Sequence, residues 1–299
     1  MSGGPDSLAL LLLAHAALPG RVHAATVDHA IRPESRGEAE FVAGICAQLN
    51  IPHAILPVKV DPGNVQANAR AARYEALGSY FAGHSVELFA TAHHADDQAE
   101  TLLMRLRRGS GLSGLAGVRP WSIFFPEGIV AEMSLLRPLL NWRREELAAI
   151  VRAAGIEAVD DPSNTDDAFE RARIRKAIAE LDWLDPLAMS QSARHLAEAE
   201  QAIETYVSTI YNRLIWRDGA CHYMWGHPRL VEIGVVERIL ERLGARNLRK
   251  SEIARVLDRA KAGKNASLGG VLARREWVPT APNTTSDCIT FAPEPPRNS

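Results

Sequence analysis

Ser2-Gly3-Gly4-Pro5-Asp6-Ser7 runs directly into the apolar stretch Leu8 to Leu13. Glycines let a turn aim its backbone N–H groups at one point, and a helix start adds partial positive charge. Together they make a phosphate cradle. The hydroxyls of Ser2 and Ser7 can donate to phosphate oxygens. Asp6 would repel a bare phosphate, but it suits a Mg²⁺ ion that bridges to one. The plainer reading is a Gly-Ser stretch ahead of an ordinary capped helix. The hexapeptide is not a Walker A loop, because no Gly-Lys-Ser/Thr follows, and Gly263-Lys264-Asn265 lacks the hydroxyl. The dinucleotide pattern Gly-x-Gly-x-x-Gly is absent from this turn as well.

Downstream of the loop the pattern alternates. Val22 to Val27, Ala54 to Val58 and Val86 to Thr91 have the length and apolar character of buried strands. Between them lie helical spacings: Phe41, Ile45 and Leu49; then Val65, Ala69, Ala72 and Ala76 after the N-cap candidate Asn64; then Ala99, Leu102, Leu103 and Leu106. Leu147, Ile150, Val151 and Ala154 mark a further helix. Strand alternating with helix predicts an α/β fold with a doubly wound parallel sheet. Only Met1 precedes the loop, so no strand is expected ahead of Ser2. An unanchored loop and unpaired sheet backbone would follow, and with them poor stability or weak activity.

In such sheets ligands bind beyond the carboxyl ends of the strands. Two strands deliver polar residues there. Val22 to Val27 leads into Asp28-His29 and Arg32, and Val86 to Thr91 leads into His93-His94-Ala95-Asp96-Asp97-Gln98-Ala99-Glu100-Thr101. On the helix that follows, Asp96 shares a face with Glu100, and Asp97 with Thr101. Adjacent side chains diverge, which argues against a four-ligand metal site. Acidic N-capping accounts for one of the two aspartates and leaves the rest of the set unexplained. Arg105, Arg107 and Arg108 beside Gly109-Ser110-Gly111, and Arg137-Pro138, offer bidentate donors for phosphate. Arg171, Arg173, Arg175 and Lys176 fit the same role or a solvated helix face.

The chain has 299 residues, 46% of them hydrophobic and 23% charged, which fits a soluble globular protein of roughly two domains. Leu8 to Leu13 is too short to span a membrane, and no Lys or Arg precedes it, which argues against a signal peptide. Cys46, Cys221 and Cys288 are odd in number and far apart, so neither a disulfide framework nor a metal spacing is expected. A cytoplasmic protein is the simpler account. The net charge is −2. Basic residues nonetheless crowd the segment from Arg246 to Arg275, a candidate phosphate-tracking surface. The domains expected are 1–185 for nucleotide chemistry, 186–278 as a mainly helical part, and 279–299 as a loose Pro-rich tail. Trp216, Trp225 and Trp277 are read as core, with base stacking as the alternative.

Ser2 to Ser7 resembles the PP-loop of the N-type ATP pyrophosphatases, which split ATP between the α and β phosphates. The ordered set of motifs is similar, more narrowly, to the tRNA(Ile)-lysidine synthetase family. The set comprises Val27-Asp28-His29 with Arg32, Ala69-Arg70 with Arg73-Tyr74, His93 to Thr101, Arg108 to Gly111, Arg137-Pro138-Leu139 and Asp161-Pro162-Ser163-Asn164. It spans about residues 1 to 176; the C-terminal part resembles the family only weakly.

The resemblance implies ATP and Mg²⁺ as cofactors, with Ser2, Gly3, Gly4, Pro5, Asp6, Ser7, Asp28 and His29 at the nucleotide and Asp6 at the metal. Its implied partners are free L-lysine and tRNA(Ile) with anticodon CAU, contacted through Arg32, Arg70, Arg108, Arg137 and Arg173. A homodimer is compatible with it. Asp97, Asp96, His94 and His93 are the candidates for handling the lysine proton, with Asp97 favoured. The alternatives are another PP-loop tRNA-modifying enzyme, such as a thiolase, or a truncated nucleotide- or RNA-binding protein without turnover. The sulfur-inserting enzymes usually need cysteine pairs, and no Cys-x-x-Cys occurs here.

Overall fold

A computed structural model describes residues 1–28, 35–58, 65–84, 86, 88–124, 132–159, 170–281 and 283–295. The chain divides into two compact units, Met1–Ala197 and Glu198–Ser299.

In the first unit, helix α1 (Pro5–Ala17) begins immediately after the glycines, with Gly4 as N-cap and proline at the first helical position. Strand β1 (Ala24–Asp28) follows, then α2 (Ser35–Gln48), β2 (His53–Pro57), α3 (Val65–Gly83) and β3 (Leu88–Ala90). Strands β1 and β2 pair in parallel from Ala24 opposite His53 to Asp28 opposite Pro57. Successive strand residues point to opposite faces, and β1 shows what that alternation does. Ala24 packs with Leu8, Leu11, Val42 and Leu147, whereas Ala25 packs with Leu77, Phe81 and Phe89. Each face therefore has its own helical cover, as a doubly wound sheet requires.

Helix α4 (Ala95–Arg107) leaves β3 through the His-Asp turn. The short helix α5 (Leu112–Leu115), strands β4 (Trp121–Phe124) and β5 (Met133–Leu136), and helices α6 (Arg144–Ala153) and α7 (Glu170–Ala179) complete this part. Strand β5 lies between β3, parallel to it, and β4, antiparallel to it. Neither β4 nor β5 has the clear apolar run that marks the first strands, and β4 leaves Trp121 and Ile123 exposed. Among the described residues the sheet forms two pieces, β1-β2 and β3-β5-β4. The amino group of Met1 donates to the Ala25 carbonyl.

The division between the units falls within α8 (Pro186–Tyr211). The second unit adds helices α9 (Arg229–Arg242) and α10 (Lys250–Lys261) to strands β6 (Ile215–Arg217), β7 (Ala220–Tyr223), β8 (Ala266–Leu268), β9 (Val271–Ala281) and β10 (Thr284–Pro293). These strands form one antiparallel sheet in the order β6-β7-β10-β9-β8, where the sequence predicts a mainly helical part. The expected loose tail from residue 279 is overturned. Strand β10 pairs with both β9 and β7, and Cys288, Ile289 and Phe291 are fully buried in the core of this unit. Prolines at its margins hid a strand whose centre, Cys288 to Ala292, is apolar apart from Thr290.

No helix among the described residues is long and apolar enough to cross a membrane. Cys46, Cys221 and Cys288 are free and buried. Trp277 departs from the core reading: it is 72% exposed on β9.

Candidate active site

The loop before α1 is held from both ends. Gly3 adopts φ +74°, where a side chain is strained, and a Cβ there would meet Val159 Cγ2 at 3.2 Å. Its carbonyl accepts a hydrogen bond from Val159 N–H at 3.0 Å. Ser2 and Ser7 approach hydroxyl to hydroxyl at 3.2 Å, and Ser7 donates to the Gly4 carbonyl at 3.0 Å. Asp6, in the first turn of α1, carries its side chain toward the start of α4.

There it meets the His-Asp turn. His94 is the N-cap of α4 and is 2% exposed. Its Nε2 lies 3.5 Å from Asp6 Oδ2 and 3.5 Å from Asp97 Oδ2, and its Nδ1 lies 3.5 Å from Asp96 Oδ2. Burial works against a charged imidazole, but contacts with Asp6 and Asp96 and the charge of Asp97 outweigh it, so the pKa is pushed up to about 10. The three carboxylates thus favour the charged form of the imidazole.

Asp96 is also accounted for. Burial alone would raise its pKa, yet His94, the Arg144 backbone N–H at 2.8 Å and the Arg143 guanidinium hold it down at about 2. Arg143 Nε reaches its oxygens at 3.3 and 3.4 Å, and Asp96 thus ties α4 to the start of α6. Asp97 accepts the His94 backbone N–H at 3.1 Å, while its other oxygen faces Arg171 at 3.5 Å. Glu100, 1% exposed, receives Arg171 Nε and Arg175 Nε at 2.7 Å each. His93 points elsewhere, its Nδ1 lying 2.9 Å from Thr91 Oγ1.

The crevice thus joins Ser2 to Ser7, His94, Asp96 and Asp97 as anticipated. It also recruits Arg143, which the sequence does not single out, and it turns Arg171 and Arg175, read there as phosphate donors or a solvated face, onto Glu100. Arg171 and Arg175 are four apart and share one face of α7, the available clue to a common partner. Arg173, between them, is exposed. Arg108 is engaged with Glu170 on that same helix. Arg137 is turned inward: its Nη1 donates to the Arg119 carbonyl at 2.7 Å and to Ser122 Oγ at 3.1 Å. Asp28, at the end of β1, accepts Ser35 Oγ at 2.7 Å. His29, Arg32 and Asp161 to Asn164 lie outside the described residues, as does the Arg70 side chain.

The profile described as "PP-loop domain" matches residues 1–181. The tRNA(Ile)-lysidine synthase of Novosphingobium aromaticivorans is 44% identical over 279 residues, covering 91% of this chain and 83% of its own. The synthase of the same name from Zymomonas mobilis is 39% identical over 281 residues, covering 92% and 84%. The chain belongs to the tRNA(Ile)-lysidine synthase family. A Bradyrhizobium synthase, 35% identical, spans 99% of this chain and 89% of its own length. Among solved structures, the U34-tRNA thiolase NcsA from Methanococcus maripaludis superimposes with TM-score 0.55 at 17% identity, over 67% of this chain and 69% of that one. That likeness shows the fold alone.

A divalent cation is implied by the family, and the residues fit one. Asp6 Oδ1 is buried without a hydrogen-bond partner. Among the described residues no group of three or more His, Cys, Asp or Glu is placed to hold a metal ion. A single carboxylate completed by substrate phosphates is the usual arrangement for Mg²⁺.

Proposed function

We propose that this chain joins lysine to carbon 2 of the wobble cytidine of tRNA(Ile) with anticodon CAU, using ATP and releasing AMP and pyrophosphate in the cytoplasm. The observation that carries the reading is the 3.5 Å approach of Asp6 to His94. It puts the phosphate loop and the His-Asp turn on one crevice, where a triphosphate and its attacking groups can meet.

The first step is attack of cytidine O2 on the α phosphorus, which expels pyrophosphate. The leaving group is heavily charged. Backbone N–H groups at the start of α1, the hydroxyls of Ser2 and Ser7, and the cationic edge formed by His94 and Arg171 are placed to stabilise it. Mg²⁺ at Asp6 would neutralise further phosphate charge.

In the second step the lysine ε-amine attacks carbon 2, and AMP leaves with the former O2. An ordinary amine, with a pKa near 10.4, is neutral in only about one molecule in 10³ to 10⁴ at pH 7, a deficit of about 4–5 kcal/mol. A carboxylate must take its proton. Asp97 fits best, because His94 is already protonated, Asp96 is held by Arg143 and Arg144, and Glu100 is covered by two arginines. Arg171 and Arg175 position these carboxylates from α7. Exposed basic side chains, Arg173 on the first unit and those near Trp277 on the second, suit the tRNA backbone.

Incubating the protein with MgATP, labelled lysine and the CAU transcript tests the reading. Lysine incorporation should match AMP and pyrophosphate release one for one, and Asp97→Asn should lower turnover about 10²- to 10⁴-fold. Tight tRNA binding with no AMP release would instead make the chain a binding protein and end the proposal.

A further inference from the structure

The first unit holds a cavity of about 300 Å³ whose lining includes Gln98, the residue after Asp97. Its wall includes Gln98, Val118, Trp121, Arg137, Asn141 and Arg194. Buried polar side chains brace it. Gln98 clasps residue 118 twice, with Val118 N–H donating to Oε1 at 2.7 Å and Nε2 donating to the Val118 carbonyl at 2.8 Å. Arg137 fixes the Arg119 carbonyl and Ser122, and Ser190 Oγ fixes the Leu140 carbonyl at 2.8 Å. Three of the nine buried polar residues among those described, Gln98, Arg137 and Ser190, therefore line one cavity. Side chains locked by buried hydrogen bonds keep such a space preformed.

The lining defines its occupant. It is mainly apolar, and among the described residues its ionisable groups are Arg137 and Arg194, which selects against a cation such as the lysine ammonium. Trp121, 59% exposed, stands where a flat ring can stack. The Asn141 amide, on an exposed residue of this lining, has a donor and an acceptor for a base edge. The volume is at the lower end of ligand pockets, typically about 300–1,000 Å³, and suits one base better than a whole nucleoside triphosphate. Position supplies the rest. Gln98 follows Asp97, and Asn141 precedes Trp142, whose carbonyl accepts the Ala95 N–H at 2.9 Å, and Arg143, which holds Asp96.

We propose that this cavity receives an unpaired base of the anticodon loop next to the reacting cytidine, stacked on Trp121, read by Asn141 and with its phosphate near Arg194. The assignment rests on the tRNA reading above. It adds a specificity site that holds a neighbouring nucleotide splayed out of the loop, as single-stranded RNA permits.

The test measures binding of the CAU anticodon stem-loop, and of stem-loops abasic at one position each, to the full chain and to Trp121→Ala. Loss of one base–aromatic stack weakens binding about 10- to 100-fold. Trp121→Ala should show that loss with unchanged melting and unchanged MgATP affinity. One abasic stem-loop should weaken the unsubstituted protein to the same degree while leaving Trp121→Ala indifferent. Arg194→Gln should weaken every stem-loop alike and reduce the salt dependence by about one ion. Equal stem-loop affinity of Trp121→Ala and the unsubstituted protein overturns the assignment and leaves the ligase reading intact. Loss of MgATP affinity in Trp121→Ala makes the cavity an adenine site and overturns it too. Failure of the unsubstituted protein to bind any CAU stem-loop overturns both.

Discussion

Replacing His94 by Asn removes the imidazole that stands among Asp6, Asp96 and Asp97 at 3.5 Å from each. In the folded chain this imidazole has its pKa raised from 6.5 to about 10. A raised folded-state pKa stabilises the native state fully below the unfolded value, and the contribution fades as pH rises through the folded value. Linkage between 6.5 and about 10 gives the imidazolium about 5 kcal/mol at pH 6, about 3 at pH 7.5 and about 1 at pH 9, to order of magnitude. His94 is 2% exposed, so solvent screening removes little of this. Urea unfolding of both proteins across that range measures it. The stability gap should be widest at pH 6 and should narrow steadily toward pH 9. A gap constant with pH would show that His94 acts by packing alone, and the charge reasoning for the crevice would fall.

Three further perturbations reach other parts of the chain. Gly3→Ala forces a side chain into φ +74° and against Val159; it should cost about 1–2 kcal/mol in melting experiments and weaken MgATP binding more than tRNA binding. Glu100→Gln leaves Arg171 and Arg175 without their shared carboxylate. Because both arginines are partly solvated, about 2–3 kcal/mol is expected rather than the full penalty of a buried pair, together with reduced turnover. In the second unit, Glu232 is 1% exposed and takes Lys261 on one oxygen and the Gly226 N–H at 2.9 Å on the other. Glu232→Ala should lower stability by about 3 kcal/mol, and ATP affinity that stayed unchanged would confirm that the loss is confined to that unit.

The parts of the molecule legible in the sequence were those whose signal is local. The phosphate loop, the helix after it and the His-Asp turn each declare themselves within ten residues, because glycine conformations and helix caps are set by neighbours in the chain. The partners that complete the site are remote. Arg143 lies 47 positions from Asp96, and Arg171 and Arg175 lie 71 and 75 from Glu100; no periodicity connects them. Arg137 shows how one residue type serves two roles: a guanidinium beside proline and glycine-rich loops suits a phosphate, and here its Nη1 donates to the Arg119 carbonyl and to Ser122 Oγ. Strand β10 is hidden for a different reason: proline content near an end suggests looseness, whereas burial of Ile289 and Phe291 decides that segment.

Gln98 stands one residue beyond Asp97 and grips the loop at Val118, where Gly117, at φ +61°, leaves no room for a side chain: an added Cβ would sit 2.4 Å from Gln98 Oε1. The loop at Val118 is thereby pinned to α4 at the residue that follows Asp97, so α4 and the strand β4 that follows this loop share one clamp of two hydrogen bonds.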